Sequence, residues 1–324
     1  MSSYRMFDVR VIEIETITAQ VKRFTLADPM QRPLPAFSGG SHIIVQMQQG
    51  EQGEQRYSNA YSLLSSPFDL QHYQIAVRRE SPSKGGSNFM HDNLQVGDTL
   101  TISTPNNLFA LAPTAEQHLL IAGGIGITPF MAQLHELHQR GQRYRLHYCF
   151  HSEEQNAFQA QLLTSPFAEH VHCHVSTQGS RLDLARLLAD IEPATHIYVC
   201  GPPALNDAVL QAASAHGIEK ARLHREAFAV TDSQGKAFTL VLARSGIELE
   251  VAPEMTILQV LENSKAAKVE CLCREGICGT CETRIIEGEA DHRDQYLSEE
   301  EREAQQSLLI CCSRAKGQRL VLDL

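Results

Sequence analysis

CREGICGTC, residues 273–281, places Cys273, Cys278 and Cys281 in a C-x4-C-x2-C run, and Cys311 follows after 29 intervening residues. This is the plant-type spacing of the four thiolates around a [2Fe–2S] cluster. Four soft sulfur ligands have to converge on two irons, so three come from one tight loop and the fourth from a distant segment. Gly276 and Gly279 let the loop curl close to such a cluster and turn amide N–H groups toward its sulfides. Zinc bound by four cysteines is the rival reading. Zinc ligands, however, come in pairs two to four residues apart on both sides, and here the distal side offers only adjacent Cys311 and Cys312. The run predicts a chain that moves electrons.

The rest of the composition agrees. A chain of 324 residues with 43% hydrophobic and 20% charged content has the balance of an ordinary globular protein of two or three domains. No apolar stretch is long enough to span a bilayer, and MSSYRMFDVRV lacks the apolar core of a signal peptide. Six of the nine cysteines cluster near the C-terminus, which is metal usage in a reducing compartment, so a cytoplasmic location is expected. A net charge of −10 argues against nucleic-acid binding. From Phe238 onward there are 16 acidic and 10 basic residues. That acidic excess either steers a basic partner or is a plain solvated surface.

Three segments follow from the periodicity. Residues 1–112 read as short alternating strands (FDVRVIEIETIT, VKRFTLAD, HIIVQM, YQIAVRRE, DTLTIS) split by turns, which predicts an antiparallel barrel or sandwich. Residues 113–228 change period. HLLIAGG leads into a helix that starts at Pro129 and ends at Gly141, and further strands alternate with helices, predicting a parallel sheet. AVTDSQGK, residues 229–236, reads as a linker. Residues 237–324 hold a hairpin turning at Ser245–Gly246, a helix through TILQVLEN and the cysteine loop.

Two strand ends carry binding signals. AGGIGITPF (122–130) puts Gly123, Gly124 and Gly126 between a strand and a helix N-terminus, where backbone can approach an anion. YVCGPPAL puts Cys200, Gly201 and Pro202 at the carboxyl edge of the same sheet, where open α/β sheets bind ligands, so the pair suggests a dinucleotide across the crevice. In the first segment, NAYSLLSSP (59–67) sets Tyr61 and Ser62 on a strand, and KGGSNF (84–89) opens a helix with Ser87 as its expected N-cap. A hydride carries two electrons and a [2Fe–2S] cluster accepts one, so a flavin is needed between them.

These motifs resemble the phthalate dioxygenase reductase family, the flavin- and iron–sulfur-containing reductases of Rieske-type oxygenases. The similarity runs the whole chain in the family's domain order and is most specific in the tail EADHRDQYLSEEE…LLICCSRAKGQRLVLDL. It implies a multidomain fold: an antiparallel flavin-binding β-barrel, a parallel ferredoxin reductase-like α/β nicotinamide domain and a C-terminal β-grasp ferredoxin. It implies Cys311, rather than Cys312, as the fourth ligand. Tyr61 and Ser62 would then contact the flavin ring and ribityl chain, and Lys84, Gly85, Gly86 and Ser87 the FMN phosphate. Thr128, beside Pro129, would lie near the reactive edge, with Phe228 covering the ring until nicotinamide displaces it. Gly124, Gly126, Cys200, Gly201 and Pro202 would position the dinucleotide.

Two departures matter. Asn59 stands where the family flavin motif R-x-Y-S has arginine, and Arg56 lies three residues earlier. A missing bidentate phosphate partner weakens flavin retention unless Lys84 or Arg78 compensates. HVSTQGSR, with Ser176 and Arg181, lacks the plain acid that would favour NADH over NADPH; the resemblance favours NADH. It also implies a monomer that docks on a Rieske-type oxygenase. A vanillate- or phthalate-type oxygenase as that partner, and a non-catalytic iron–sulfur redox sensor, stay open. The histidines, including His135, His138, His147 and His172, form no metal pattern with carboxylates, and Cys149 and Cys173 read as buried strand residues.

Overall fold

The alternation that begins at Met6 carries the chain into β1 (Met6–Thr18), which turns where the Thr18 hydroxyl accepts hydrogen bonds from Gln20 N and Val21 N at 3.2 and 3.1 Å. β2 (Val21–Ala27) runs back against it. The computed structural model describes residues 4–49, 55–83, 85–152, 155–228 and 234–324; Lys84 and most of the expected linker lie outside them. β3 (Ser41–Gln49), β4 (Gln55–Ser62), β5 (Tyr73–Arg78), β6 (Thr99–Ser103) and β7 (Asn106–Asn107) complete the first sheet. Its order is β4-β3-β6-β1-β2-β5, with β7 on β3. An antiparallel bridge from Leu63, just past β4, to Ile75 of β5 brings the two ends together, so the sheet curls into a nearly closed barrel. Val9, Phe24, Ile43, Leu63, Ile75 and Ile102 fill its interior.

The helix α1 (Gly86–Asp92) adds Met90 to that core. The expected N-cap at Ser87 does not form. α1 begins two residues earlier, with Gly85 at φ 108° in the cap position, and has no side-chain cap. Ser87 lies inside the first turn, and its hydroxyl accepts from Glu80 N at 3.1 Å and meets Ser83 Oγ at 3.1 Å.

The second sheet is built from β8 (Gln117–Gly123), α2 (Thr128–Gln139), β9 (Arg143–Phe150), α3 (Gln159–Leu163), β10 (Val171–Val175), α4 (Leu184–Ala189), β11 (Thr195–Cys200), α5 (Pro203–Ala215) and β12 (Leu223–Glu226). Its five strands are parallel, in the order β10-β9-β8-β11-β12. The chain leaves β8 toward β9 and later returns to β8's other side as β11. The strand order therefore reverses between β8 and β11, and a crevice opens at their carboxyl ends. Barrel and parallel sheet form one compact unit. Gly39 N donates to Glu136 Oε2 at 2.6 Å, Gln133 Nε2 donates to Phe109 O at 2.7 Å, and Val21, Leu64 and Ala76 share an apolar core with Phe130 and Leu134.

Histidines pair across the parallel strands, an arrangement no sequence spacing announces. His147 Nδ1 lies 2.9 Å from His174 Nε2, and His196 Nδ1 lies 2.9 Å from His224 Nε2. Burial lowers His147 to about 3 and both His118 and His224 to about 4. These rings stay neutral in the fold while the unfolded chain takes up protons near 6.5. Acidification thus favours the unfolded state over the window from about 6.5 down to those lowered values. Between pH 7 and pH 5 we expect each buried ring to remove about 1–2 kcal/mol, read as a falling Tm. A Tm that stays level across that range would contradict this. Cys149 and Cys173 do sit on β9 and β10, but both are half-buried rather than buried.

In the C-terminal unit, β13 (Phe238–Leu242), β14 (Ile247–Val251), β15 (Glu282–Glu287), β17 (Ser307–Leu309) and β19 (Arg319–Leu322) make a mixed sheet in the order β14-β13-β19-β15-β17, with β13 and β19 parallel. β16 (Ala290–Asp291) and β18 (Arg314–Ala315) form a separate pair. α6 (Ile257–Ser264) packs Ile257, Leu258 and Leu261 onto this unit's core, the arrangement of a β-grasp. Its start is fixed by a capping box between Thr256 and Gln259; α7 (Glu299–Ala304) has the same device at Ser298 and Glu301. Arg314, 1% exposed, donates to Lys236 O (3.1 Å), Ala252 O (3.0 Å) and Met255 O and lies over the Phe238 ring. Among the described residues no helix is long and apolar enough to cross a membrane.

Candidate functional site

The cysteine loop has no regular secondary structure, and its path depends on two glycines. Gly276 and Gly279 have φ of 71° and 73°. A side chain at the first would strike Cys312 Sγ, and one at the second the Tyr296 ring. The turn aims amides at sulfur: Glu275 N and Ile277 N each lie 3.4 Å from Cys273 Sγ, and Cys273 N lies 3.4 Å from Cys278 Sγ. Cys273, Cys278, Cys281 and Cys311 are all buried. The neighbouring thiols of Cys278 and then Cys311, helped by the two amides, pull Cys273 toward the thiolate against the opposing effect of burial.

Cys312 Sγ, which packs against Gly276, donates to Leu309 O at 3.7 Å. The Sγ atoms of Cys271, Cys281 and Cys311 lie within 4.8 Å of one another. Buried soft donors with amides turned toward them are what an iron–sulfur group needs, so these residues fit one.

The second site lies in the unit of barrel and parallel sheet, at the carboxyl ends of β8 and β11. A 3-10 turn, Gly124–Ile127, joins β8 to α2. It passes so close to β11 that a side chain on Gly126 would meet Cys200 O at 2.3 Å. Thr128 is buried, with its hydroxyl donating to Ile125 O at 3.1 Å, and Pro129 is in the first turn of α2. Gly201 and Pro202 follow Cys200 into α5. Ser176 opens a 3-10 turn at the carboxyl end of β10, on the same sheet edge, and Arg181 is exposed just beyond it. Phe228 is 43% exposed, two residues past β12.

Tyr61 and Ser62 end β4. The Ser62 hydroxyl is buried without a hydrogen bond of normal geometry, although it is close enough to Glu226 to influence it. Asn59 is half-buried on the same strand, and Gly85 and Gly86 precede Ser87 as expected. A buried hydroxyl without a hydrogen bond of normal geometry fits a polar ligand atom.

Glu226 escaped the sequence reading. It ends β12, is half-buried, and accepts a long contact from Cys200 Sγ at 3.9 Å. Its carboxyl is enclosed deeply enough that burial pushes it up to about 8, so it is an uncharged acid at neutral pH. Burial also raises the Cys200 thiol, so Cys200 is no nucleophile. Only a fold that brings β4, β11 and β12 together reveals this trio.

Comparison with known proteins decides the family. Over all 324 residues and the full length of both chains, the sequence is 63% identical to the carnitine monooxygenase reductase subunit of Escherichia coli (strain K12). The solved structure of phthalate dioxygenase reductase matches with a TM-score of 0.76 at 33% identity, covering 98% of each chain. This chain belongs to the phthalate dioxygenase reductase family. Residues 8–110 match the oxidoreductase FAD-binding domain and residues 240–316 the 2Fe-2S iron-sulfur cluster binding domain. Residues 103–223 match the N-terminal domain of dimethylamine monooxygenase subunit DmmA-like proteins. The beta subunit of a heme-dependent oxidative N-demethylase from Ectopseudomonas mendocina (strain ymp) is 41% identical over 98% of this chain and 99% of its own. Like its relatives, this phthalate dioxygenase reductase family member is an oxidoreductase, the reductase component of an oxygenase system, with a flavin-binding and a [2Fe–2S] domain.

Proposed function

We propose that this reductase takes electrons from NADH, by way of FMN and a [2Fe–2S] cluster, to the Rieske-type oxygenase of carnitine monooxygenase, which releases trimethylamine from carnitine. The observation that carries the reading is the end-to-end 63% identity, with no segment of either chain left over. We read residues 1–112 as the flavin barrel, 113–228 as the nicotinamide domain, 229–236 as a linker and 237–324 as the ferredoxin, in a cytoplasmic monomer.

When bound, the flavin exchanges a two-electron hydride for single electrons and the cluster carries one electron at a time. The chain's part is to hold and orient. Tyr61 offers a flat face to the flavin ring and the Ser62 hydroxyl a hydrogen bond, and Gly85, Gly86 and Ser87 form the helix start that would hold its phosphate. Gly124 and Gly126 admit the dinucleotide backbone between β8 and β11, with Gly201 and Pro202 on the facing side. Thr128 and Cys200 bound the space where nicotinamide would lie, and Phe228 would close it. Ser176 and Arg181 would meet the adenosine end, and NADH is the favoured donor. Cys273, Cys278, Cys281 and Cys311 would ligate the cluster.

Without an arginine at position 59, FMN should leave readily: a Kd of roughly 1 μM or weaker is expected at physiological salt, measured by flavin fluorescence. A submicromolar value would contradict that expectation. A second partner reading rests on the N-demethylase beta subunit and the DmmA-like match, both of which point to an amine-demethylating system. Purified oxygenases exchanged in an NADH-driven assay separate the two. Trimethylamine formed from carnitine supports the proposal; turnover only with the other oxygenase replaces it.

A further inference from the structure

Each iron of a [2Fe–2S] cluster is tetrahedral and shares two bridging sulfides with the other, so four thiolates divide two and two. In this loop Cys273 is held by the amides of Glu275 and Ile277 and stands beside Cys278. The remaining pair, Cys281 and Cys311, is not alone. Cys271 Sγ joins them, all three sulfurs lying within 4.8 Å of one another. Two thiolates on one tetrahedral metal stand about 3.8 Å apart if the metal–sulfur bond is near 2.3 Å. Three sulfurs therefore gather in the space of an iron that binds two. Cys271 is half-buried and packs against the core that carries Cys281 and Cys311, so its thiol is already inside the site. Cys312, the other extra thiol, is engaged with Leu309 O.

We propose that Cys271 is a reserve ligand for the iron bound by Cys281 and Cys311, able to replace either when its bond to iron is lost. In the exchange a new sulfur–iron bond forms at Cys271 and the old one breaks. The incoming thiol gives its proton to water, the departing thiolate takes one up, and no electron changes hands. The cluster is thereby kept through damage to one ligand at its second iron, a protection the first iron lacks. This inference rests on the assignment of a [2Fe–2S] cluster to the loop.

The test uses full-length protein with alanine replacements, since serine can itself bind iron through oxygen. C281A and C311A should each retain iron, acid-labile sulfide and an electron paramagnetic resonance signal with altered g-values. C273A and C278A should hold roughly tenfold less. Adding Cys271→Ala to C281A or C311A should bring that same tenfold loss, with flavin content checking that the remainder of the chain is folded. C271A alone deletes none of the four ligands and should have wild-type cluster content, but should release iron to a chelator roughly threefold faster. Cluster-free C281A and C311A, together with C271A releasing iron at the wild-type rate, would overturn the proposal. A wild-type chain without iron and sulfide would instead overturn the cluster assignment beneath it.

Discussion

Alanine at Cys278 is expected to cut electron delivery to the oxygenase by roughly tenfold, in step with its cluster content, while NADH-driven reduction of ferricyanide persists. Cys278 is 5% exposed, and its sulfur faces the amide of Cys273, with Cys273 Sγ in turn beside the amides of Glu275 and Ile277. Among the described residues, no third thiol gathers with that pair as Cys271 does with Cys281 and Cys311. A lost thiolate there leaves an iron site open, and metal binding to such a loop is also part of its folding free energy. Iron and sulfide content, oxygenase turnover and ferricyanide reduction, measured on one preparation, separate the two halves of the chain. Unchanged oxygenase turnover in a cluster-free C278A protein would mean that electrons bypass this site.

Glu226 should have the larger effect. Burial holds its carboxyl up at about 8, so at pH 7 it is a neutral acid beside Cys200 and Ser62. A neutral acid can donate a hydrogen bond into the crevice; a carboxylate would place an uncompensated charge there. We expect E226A to slow hydride transfer by roughly 10²-fold. Wild-type hydride transfer should decline as pH rises through about 8, and E226Q, which keeps a neutral donor, should stay within a few-fold of wild type at pH 7 and lack that decline. The stability effect has its own sign. The folded state keeps this proton while the unfolded chain loses it near 4.5, so the carboxyl destabilises the fold progressively as pH rises from about 4.5 to 8. E226Q should therefore raise Tm at pH 7, in opposition to the histidine effect, which destabilises toward acid. Stopped-flow flavin reduction and thermal melts across pH 6–9 check both. An E226Q protein as impaired as E226A would show that the acid does more than donate a hydrogen bond.

What the sequence reveals and what it hides follows from the range of the interactions. Cys273, Cys278 and Cys281 share one loop, so their spacing alone carries their chemistry, and Gly276 and Gly279 announce the turn between them. The barrel is legible because β1 and β2 alternate and turn at Thr18 on contacts only two and three residues long. The parallel sheet is legible from its punctuation at Pro129 and Gly141. Ser87 misleads because Gly-Gly-Ser has more than one way to start a helix. Gly85 takes the left-handed turn, and the Ser87 hydroxyl is engaged by Glu80, seven residues upstream. Glu226 is invisible because its partners, Cys200 and Ser62, are 26 and 164 residues away in the chain. The same holds for the histidine pairs, which exist only through the register of neighbouring parallel strands.

The relay from nicotinamide through flavin to the cluster is tested most directly by an anaerobic absorbance titration of the FMN-reconstituted protein with NADH. Both the flavin and the iron–sulfur bands should bleach, with about three electrons taken up per chain, two by the flavin and one by the cluster. Flavin bleaching at two electrons, with the iron–sulfur bands unchanged, would contradict the relay.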